Sequence, residues 1–240
     1  MAFLEINNLH KQFLTPGGRQ INALQGVSFE LDRGDILCIV GQNGSGKTTL
    51  LNCLRQVFPR DNGEILIDGK PIENQKLNIV GVFQDVGLGV VGSMTPMENL
   101  SLVFSKHSGF MYSLPKRRFK HEIYEFLEET GLRSRFDSFD NTPVSELSGG
   151  QRQQVAIMMA VMRKPHILLL DEFVANLDAD VKNYILKWMH SWINKNNVTT
   201  LMVTHDIDLA RSWGNWILEL SEGEVLRFEK IIKNKGILNG

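Results

Sequence analysis

The sequence predicts an α/β fold, a mostly parallel sheet covered on both faces, with an antiparallel β edge and an inserted helical lobe. Three observations predict it. The first is a set of uninterrupted apolar runs, Ile79–Phe83, His166–Asp171, Thr199–Thr204 and Trp216–Leu220, separated by helical stretches. Strands buried on both faces read this way. The second is a strand–loop–helix unit: the apolar run Ile36–Val40, the glycine-rich loop Gly41-Gln42-Asn43-Gly44-Ser45-Gly46-Lys47-Thr48, and the helical Thr49–Leu54. The third is a group of shorter apolar segments at 3–9, 27–31 and 64–68, set between the turn signals Pro16-Gly17-Gly18 and Asp61-Asn62-Gly63, which suggests antiparallel strands at one edge.

The loop carries the first chemistry and marks the core as that of a P-loop NTPase. Its three glycines, Gly41, Gly44 and Gly46, let successive N–H groups turn inward around an anion. Lys47 adds a point charge for the β- and γ-phosphates, and Thr48 offers a hydroxyl to Mg²⁺. The following helix points its positive end at the phosphates. Candidate nucleotide ligands are therefore Gly41, Asn43, Gly44, Ser45, Gly46, Lys47, Thr48 and Thr49. Cys38 and Cys53, the only cysteines, sit among apolar neighbours in the strand and helix that flank the loop. They read as small core residues rather than a disulfide or metal pair.

Strand signals stop between Phe83 and His166. Phe119, Ile123, Phe126 and Leu127 follow helical spacing, with Lys120, Glu122, Glu125, Glu128 and Glu129 on the other side and Gly131 as the stop. Residues 86–164 are thus expected to form a helical lobe inserted into an α/β core of 1–85 and 165–228, with 229–240 as a short polar tail, frayed or helical. A further helix after Asp178 carries the stripe Val181, Tyr184, Ile185, Trp188, Met189 and Trp192, whose spacing is that of one packed face.

Leu168-Leu169-Leu170-Asp171-Glu172 delivers two carboxylates to the C-terminal end of a strand, where open α/β sheets bind ligands. Asp171 is placed to hold Mg²⁺ and Glu172 to take a proton from the attacking water. His205, just after the strand 199–204, falls at the same sheet edge, within reach of a γ-phosphate. Gln84, at the end of Val82-Phe83, can reach the metal or the water and opens the helical lobe. Its position suits a hinge that reports nucleotide state. Leu147-Ser148-Gly149-Gly150-Gln151 begins another helix and presents a hydroxyl, free N–H groups and a positive dipole end, a second phosphate-binding device. At ordinary residue usage the pentapeptide arises by chance in roughly three chains of ten thousand. If the two devices lie on separate lobes, the economical arrangement is two chains head to tail, each pentapeptide closing on its partner's nucleotide.

Composition narrows the class. Lysine and arginine number 26 against 27 acidic residues, a net charge of −1, so nothing drives the chain as a whole towards nucleic acid or anionic lipid. The one basic run, Lys116-Arg117-Arg118-Phe119-Lys120, reads as the solvated start of a helix. No apolar stretch approaches the roughly 18 residues of a membrane span, and Met1–Ile6 lacks the charged-then-apolar pattern of a signal segment.

In order along the chain, Gly41–Thr48, Gln84, Leu147–Gln151, Asp171-Glu172, Asp178 and His205 resemble the motifs of ATP-binding-cassette (ABC) ATPase subunits. The resemblance covers almost the whole chain. It implies Phe13 stacking on adenine, Glu172 as base with His205 and Gln84 beside it, and Thr48, Gln84 and Asp171 at Mg²⁺. It also implies Ser148, Gly149, Gly150, Gln151 and Asp178 acting in trans. Phe13 stands where many members have tyrosine, and Ala175-Asn176-Leu177-Asp178 replaces the commoner Ser-Ala-Leu-Asp. Within the family, Phe83-Gln84-Asp85, Ser93-Met94-Thr95 and Glu98-Asn99-Leu100 are similar to ATPase subunits of bacterial tryptophan/tyrosine-type uptake systems. The family resemblance implies ATP and Mg²⁺ as cofactors and a second copy or a paralogous ATPase subunit as partner. The closer likeness implies an integral-membrane permease too, an extracytoplasmic solute-binding protein, and a place on the cytoplasmic side of the membrane through the permease. The strip Val86-Gly87-Leu88-Gly89-Val90-Val91-Gly92 is expected to be an exposed apolar hinge that receives a permease helix. Chromosome-maintenance ATPases split the same motifs with a long coiled coil, translation-factor cassettes carry two units, and small-molecule kinases share only the phosphate loop. None of these patterns is present.

Overall fold

The computed structural model describes residues 2–85, 87, 89–105, 119–138, 140–175 and 177–232. Contacts divide the chain into two compact units: Met1–Gly81 with His166–Glu172 and Lys187–Gly240, and Val82–Pro165 with Phe173–Leu186.

In the first unit, β1 (Leu4–Leu14) and β2 (Gln20–Leu31) form a long antiparallel hairpin, paired from Leu4 with Leu31 to Leu14 with Gln20. The turn closes where the Thr15 N–H donates to the Arg19 carbonyl at 2.9 Å. β4 (Asn62–Ile67) pairs antiparallel with β1, and β5 (Lys70–Pro71) completes a sheet of order β2-β1-β4-β5. The hairpin arms run further than the apolar segments at 3–9 and 27–31, because cross-strand pairing continues through polar residues up to the turn.

The second sheet has the order β10-β9-β3-β8-β7-β6. Its strands are β3 (Ile36–Val40), β6 (Ile79–Phe83, leading out of this unit after Gly81), β7 (Ile167–Asp171), β8 (Thr199–Val203), β9 (Trp216–Ser221) and β10 (Glu224–Lys230). β3 runs parallel to β8 and β9, and β7 parallel to β8. Every residue of β3, β7 and β8 is buried, as the unbroken apolar runs require. Leu37, Ile39, Leu169, Leu201, Val203 and Leu218 join one cluster with Leu50 and Leu51 of α1 (Lys47–Leu54) and with Leu4, Ile6 and Leu9 of β1. That cluster fixes the start of α1, and with it the phosphate loop, over the C-terminal ends of the parallel strands. Cys38 and Cys53 are free and buried, and burial pushes the Cys53 thiol up to about 11.

β10 has no apolar run to announce it. It is an antiparallel edge strand whose Glu229 and Lys230 pair with Ile217 and Trp216, so regular structure continues past 228. Phe228 stacks on Trp216 with centroids 4.7 Å apart and planes at 12°, and with Val225, which packs against the core, it anchors the strand. α7 (Ile207–Trp213) lies between β8 and β9, capped by the Asp206 carboxylate, which accepts from the Leu209 N–H at 2.9 Å.

The second unit is helical. α2 (Pro96–Ser105) opens with a reciprocal cap: the Glu98 carboxylate accepts from the Thr95 N–H at 2.8 Å, and Thr95 Oγ1 accepts from the Glu98 N–H at 3.3 Å, with Pro96 at the first helical position. α3 (Lys120–Glu129) buries Ile123 and Leu127, α4 (Arg133–Asp137) buries Phe136, and α5 (Gly149–Met162) buries an apolar face from Val155 to Met162. Fully buried Asn99 fastens the loop before α2, accepting from the Val91 N–H at 2.7 Å and donating to the Val91 carbonyl at 3.0 Å. In the expected strip 86–92, Val86 and Leu88 lie outside the described residues, as do Lys116, Arg117 and Arg118 of the basic run. Val91 is 40% exposed. α6 (Ala179–Asn196) begins in this unit and ends in the first. Its buried seam is aliphatic, Ile185, Leu186, Met189 and Ile193, and Tyr184, Trp188 and Trp192 flank it half-buried. Tyr and Trp carry a polar atom on a large apolar ring, which suits the margin rather than the sealed seam.

Candidate nucleotide site

The loop between β3 and α1 is shaped by glycine. Gly41 has φ 148° and Gly46 φ 103°. A Cβ at Gly41 would collide with the Leu220 carbonyl oxygen, and one at Gly46 with that of Ala23. Gly44, at φ 81°, has nothing within 4 Å of where a Cβ would stand. The loop is thus packed tightly against backbone at Gly41 and Gly46 and left open at Gly44. Buried Lys47 closes the ring by donating from Nζ to the carbonyls of Gly41 at 2.8 Å and Gln42 at 2.7 Å. Burial pulls its pKa down, and the carboxylates of Glu172 and Asp171 pull it back up.

Thr48, at the second position of α1, donates from Oγ1 to Asp171 Oδ2 at 3.1 Å. Asp171 is 9% exposed at the end of β7. Burial raises its pKa above the ordinary carboxylate value. The Thr48 hydrogen bond, Lys47 and His205 oppose that rise, and Glu172 adds to it. A buried carboxylate that disfavours its own charge, beside a hydroxyl, is a donor pair that a divalent cation relieves. Ser45 Oγ, in the same loop and 2.8 Å from where a Cβ of Gly41 would stand, is buried with no hydrogen-bond partner among the described residues. Both features fit a nucleoside triphosphate with Mg²⁺. Among the described residues no three His, Cys, Asp or Glu cluster as a self-sufficient metal site. Mg²⁺ needs none, since it takes one or two carboxylates and completes its shell with phosphate and water.

Glu172 follows Asp171 but occupies the left-handed region at φ 47°, its N–H donating to the Val203 carbonyl at 3.2 Å. That strained turn sends the two consecutive carboxylates in different directions. Glu172 Oε1 meets His205 Nε2 at 2.7 Å. His205 is placed by the end of β8, where the Thr204 N–H donates to the Ile39 carbonyl at 3.2 Å, and by the Asp206 cap of α7. The arrangement holds a carboxylate able to accept a proton beside a ring that fixes its position.

The first unit thus brings together Gly41–Thr48, Asp171, Glu172 and His205. Thr49 is half-buried in α1, and Asn43 is exposed on the loop. Phe13 lies on β1 opposite Ile21. Sequence reasoning missed the residues around Phe13, namely Lys11, Phe58 and Asp61, because the pair Lys11–Asp61 joins positions 50 residues apart and no periodicity signals it.

The second unit holds the rest. Ser148 caps α5: its Oγ accepts from the Gln151 N–H at 3.3 Å, and Gln151 Oε1 accepts from the Ser148 N–H at 3.0 Å. Gly149 has open space where a Cβ would stand, and Gly150 meets only ordinary contacts, 3.5 Å to Leu177 and 4.0 Å to Val181. Gln84 is exposed. Gln153 of α5 donates to the Phe83 carbonyl at 3.4 Å, next to Gln84. Asp178 is exposed at the head of α6, its carbonyl accepting from the Lys182 N–H at 2.8 Å.

Residues 24–175 match the family model described as ABC transporter. The chain belongs to that family. The tyrosine transport ATP-binding protein of Clostridioides difficile is 37% identical over 229 residues, spanning 93% of this chain and 90% of that protein. A dimeric bacterial ABC transporter cassette superposes with TM-score 0.80 at 30% identity, covering 96% of this chain and all of that one. A Clostridium perfringens cassette, part of an ABC transporter complex, does so with TM-score 0.75 at 27% identity, covering 95% and 88%. The fold is that of an ABC ATPase cassette, and the activity is that of an ATP-hydrolysing transport ATPase.

Proposed function

We propose that this ABC ATPase powers uptake of an amino acid or similar small solute through a partner permease, closing head to tail with a second copy around two Mg-ATP. The observation that carries the amino-acid reading is the 37% identity, over nine-tenths of both chains, to a tyrosine transport ATP-binding protein. A second relative, the phosphonates import ATP-binding protein of Treponema denticola, is 29% identical over 93% of this chain and 88% of its own, which supports import over export and leaves the solute class to experiment. The dimer is supported by the dimeric cassette of similar fold and by the unused space at Gly149. Residues 86–164 form the lobe that carries the Ser148–Gln151 segment, and the ATPase reaches the membrane through the permease, with an extracytoplasmic binding protein delivering solute.

In this reading Gly41–Thr49 bind the phosphates and Phe13 stacks on the base. Thr48 and Asp171, joined by Gln84, hold Mg²⁺, which neutralises phosphate charge. Glu172 accepts the proton of the attacking water, and His205 keeps that carboxylate in place and faces the γ-phosphate. Ser148, Gly149, Gly150 and Gln151 supply a hydroxyl and a helix N-terminus from the partner chain, and Asp178 links the two sites. The test is to reconstitute the chain with its permease and binding protein and to measure ATP hydrolysis against a panel of solutes. Stimulation by aromatic amino acids supports the reading. Stimulation by none of the amino acids, with uptake of another solute, moves the cargo elsewhere.

A further inference from the structure

The Phe13 ring is not free to choose its orientation. It stands nearly perpendicular to Phe58, with centroids 5.2 Å apart and planes at 78°, and Lys11 Nζ lies over it, 5.4 Å from its centre, within cation–π range. Lys11 is held in turn. Its ammonium donates to Asp61 Oδ1 at 2.9 Å, with the lysine side chain 9% exposed and the aspartate 41%. Asp61 also binds the strand itself: Oδ2 accepts from the Gln12 N–H at 2.5 Å, and the Asp61 N–H donates to the His10 carbonyl at 3.0 Å. One aspartate therefore grips three consecutive residues, His10 to Gln12, immediately before Phe13.

The grip originates at the phosphate loop. Phe58 and Asp61 lie just beyond α1, where the N–H groups of Val57 and Phe58 donate to the Asn52 carbonyl at 3.0 and 3.3 Å. α1 begins at Lys47, and its eight residues span about 12 Å. One end of this helix faces the phosphates, and the connection after its other end holds the aromatic ring. The register sets the ring beside the loop. Lys11 pairs with Leu24 and Phe13 with Ile21, and the carbonyl of Ala23 lies against Gly46. Ile21, directly opposite Phe13, shares its face and is 47% exposed, so ring and side chain make one apolar shelf.

We infer that Lys11, with Asp61 and Phe58, is the positioning group of the nucleotide-base shelf, fixing the Phe13 ring so that the phosphate loop and the base are gripped in one rigid frame. The inference rests on the reading of Phe13 as the base-stacking residue. The alternative is a staple that only ties β1 to the segment after α1. A half-exposed ion pair is a weak staple, whereas a buried lysine poised over an aromatic ring has a geometric task.

The two are separated by titrating the full chain with Mg-ATP and with magnesium tripolyphosphate, which has the phosphates and no base. Phe13→Ala should weaken ATP about tenfold. Lys11→Met and Asp61→Asn should weaken ATP about three- to tenfold and raise KM for ATP with kcat unchanged. Lys11→Arg should retain most of the affinity, and tripolyphosphate binding should be unaltered in all four variants. Equal losses for ATP and tripolyphosphate in Lys11→Met and Asp61→Asn overturn the inference in favour of the staple, as does unchanged ATP affinity in both while Phe13→Ala binds weakly. If Phe13→Ala itself binds ATP normally, the base-stacking reading falls and takes the inference with it.

Discussion

The two glycine-rich segments, one in each unit, use glycine for opposite reasons. At Gly41 and Gly46 the chain's own backbone demands it: φ is positive and a Cβ would strike the carbonyls of Leu220 and Ala23. At Gly149 and Gly150 nothing among the described residues demands it. Neither has positive φ, and a Cβ at Gly149 would point into open space. Helix-forming residues are favoured over glycine in the first turn of a helix unless something must approach the backbone closely. The first segment is complete within its own fold. In the proposed head-to-tail arrangement, the second is the surface that receives the partner chain's nucleotide.

The strongest test of that contrast freezes the approach. Glu172→Gln cannot accept the water's proton, so hydrolysis should fall at least about a hundredfold with ATP binding retained. The unconsumed closed state should then shift from monomer to dimer on gel filtration with ATP and Mg²⁺. Dimerisation ties the second segment to a partner's nucleotide, whereas a monomer at saturating ATP removes that role. Full activity would remove Glu172 as the base.

Alanine substitutions break the comparison glycine by glycine. Gly41→Ala and Gly46→Ala must shift backbone and adopt strained φ, so each should lower stability to urea by at least about 2 kcal/mol and abolish ATP binding. Gly149→Ala should leave stability within about 1 kcal/mol of the parent, or raise it, and still reduce hydrolysis. Equal destabilisation at Gly149 would mean that its reason also lies inside the fold. A milder effect is expected from mixing. Lys47→Ala and Ser148→Arg chains, each inactive alone, should regain part of the hydrolysis when combined, because one mixed dimer has one intact composite site. Activity that is independent of protein concentration would exclude the head-to-tail arrangement.

How much of this was legible follows from physical range. The strands Ile79–Phe83 and Thr199–Val203 were readable because burial on both faces leaves an unbroken apolar run. The Thr95–Glu98 cap of α2 has a local signature too. β10 was not readable, since an edge strand needs few apolar residues and its anchors, Phe228 against Trp216 and Phe29, and Val225 against the core, are contacts with distant positions. At the site, the types and order of Lys47, Thr48, Asp171, Glu172 and His205 stood in the sequence. The left-handed turn at Glu172 did not, because glutamate has no preference for positive φ and only the surrounding sheet imposes it. The grip of Asp61 on Lys11 was equally hidden, being a contact between distant positions with no local trace.

The smallest expected effect lies inside the first segment's site and concerns Asp171. Burial holds its pKa above the ordinary carboxylate value. Between that ordinary value and the raised one, the folded state binds more protons than the unfolded state. Stability therefore falls as pH rises through this window, and the full cost of the buried charge is present above the raised value. Asp171→Asn removes the charge and keeps an acceptor for Thr48, so the nucleotide-free variant should resist urea at least as well as the parent at neutral pH, with a flatter stability profile in mild acid. It should lose the Mg²⁺ dependence of ATP binding. No residue of the Ser148–Gln151 segment carries a titratable side chain, so Ser148→Ala should leave the acid profile unchanged. A parent profile matched by Asp171→Asn would mean that the carboxylate is not strained by its burial, and that the loop's electrostatic debt to Mg²⁺ is smaller than the geometry implies.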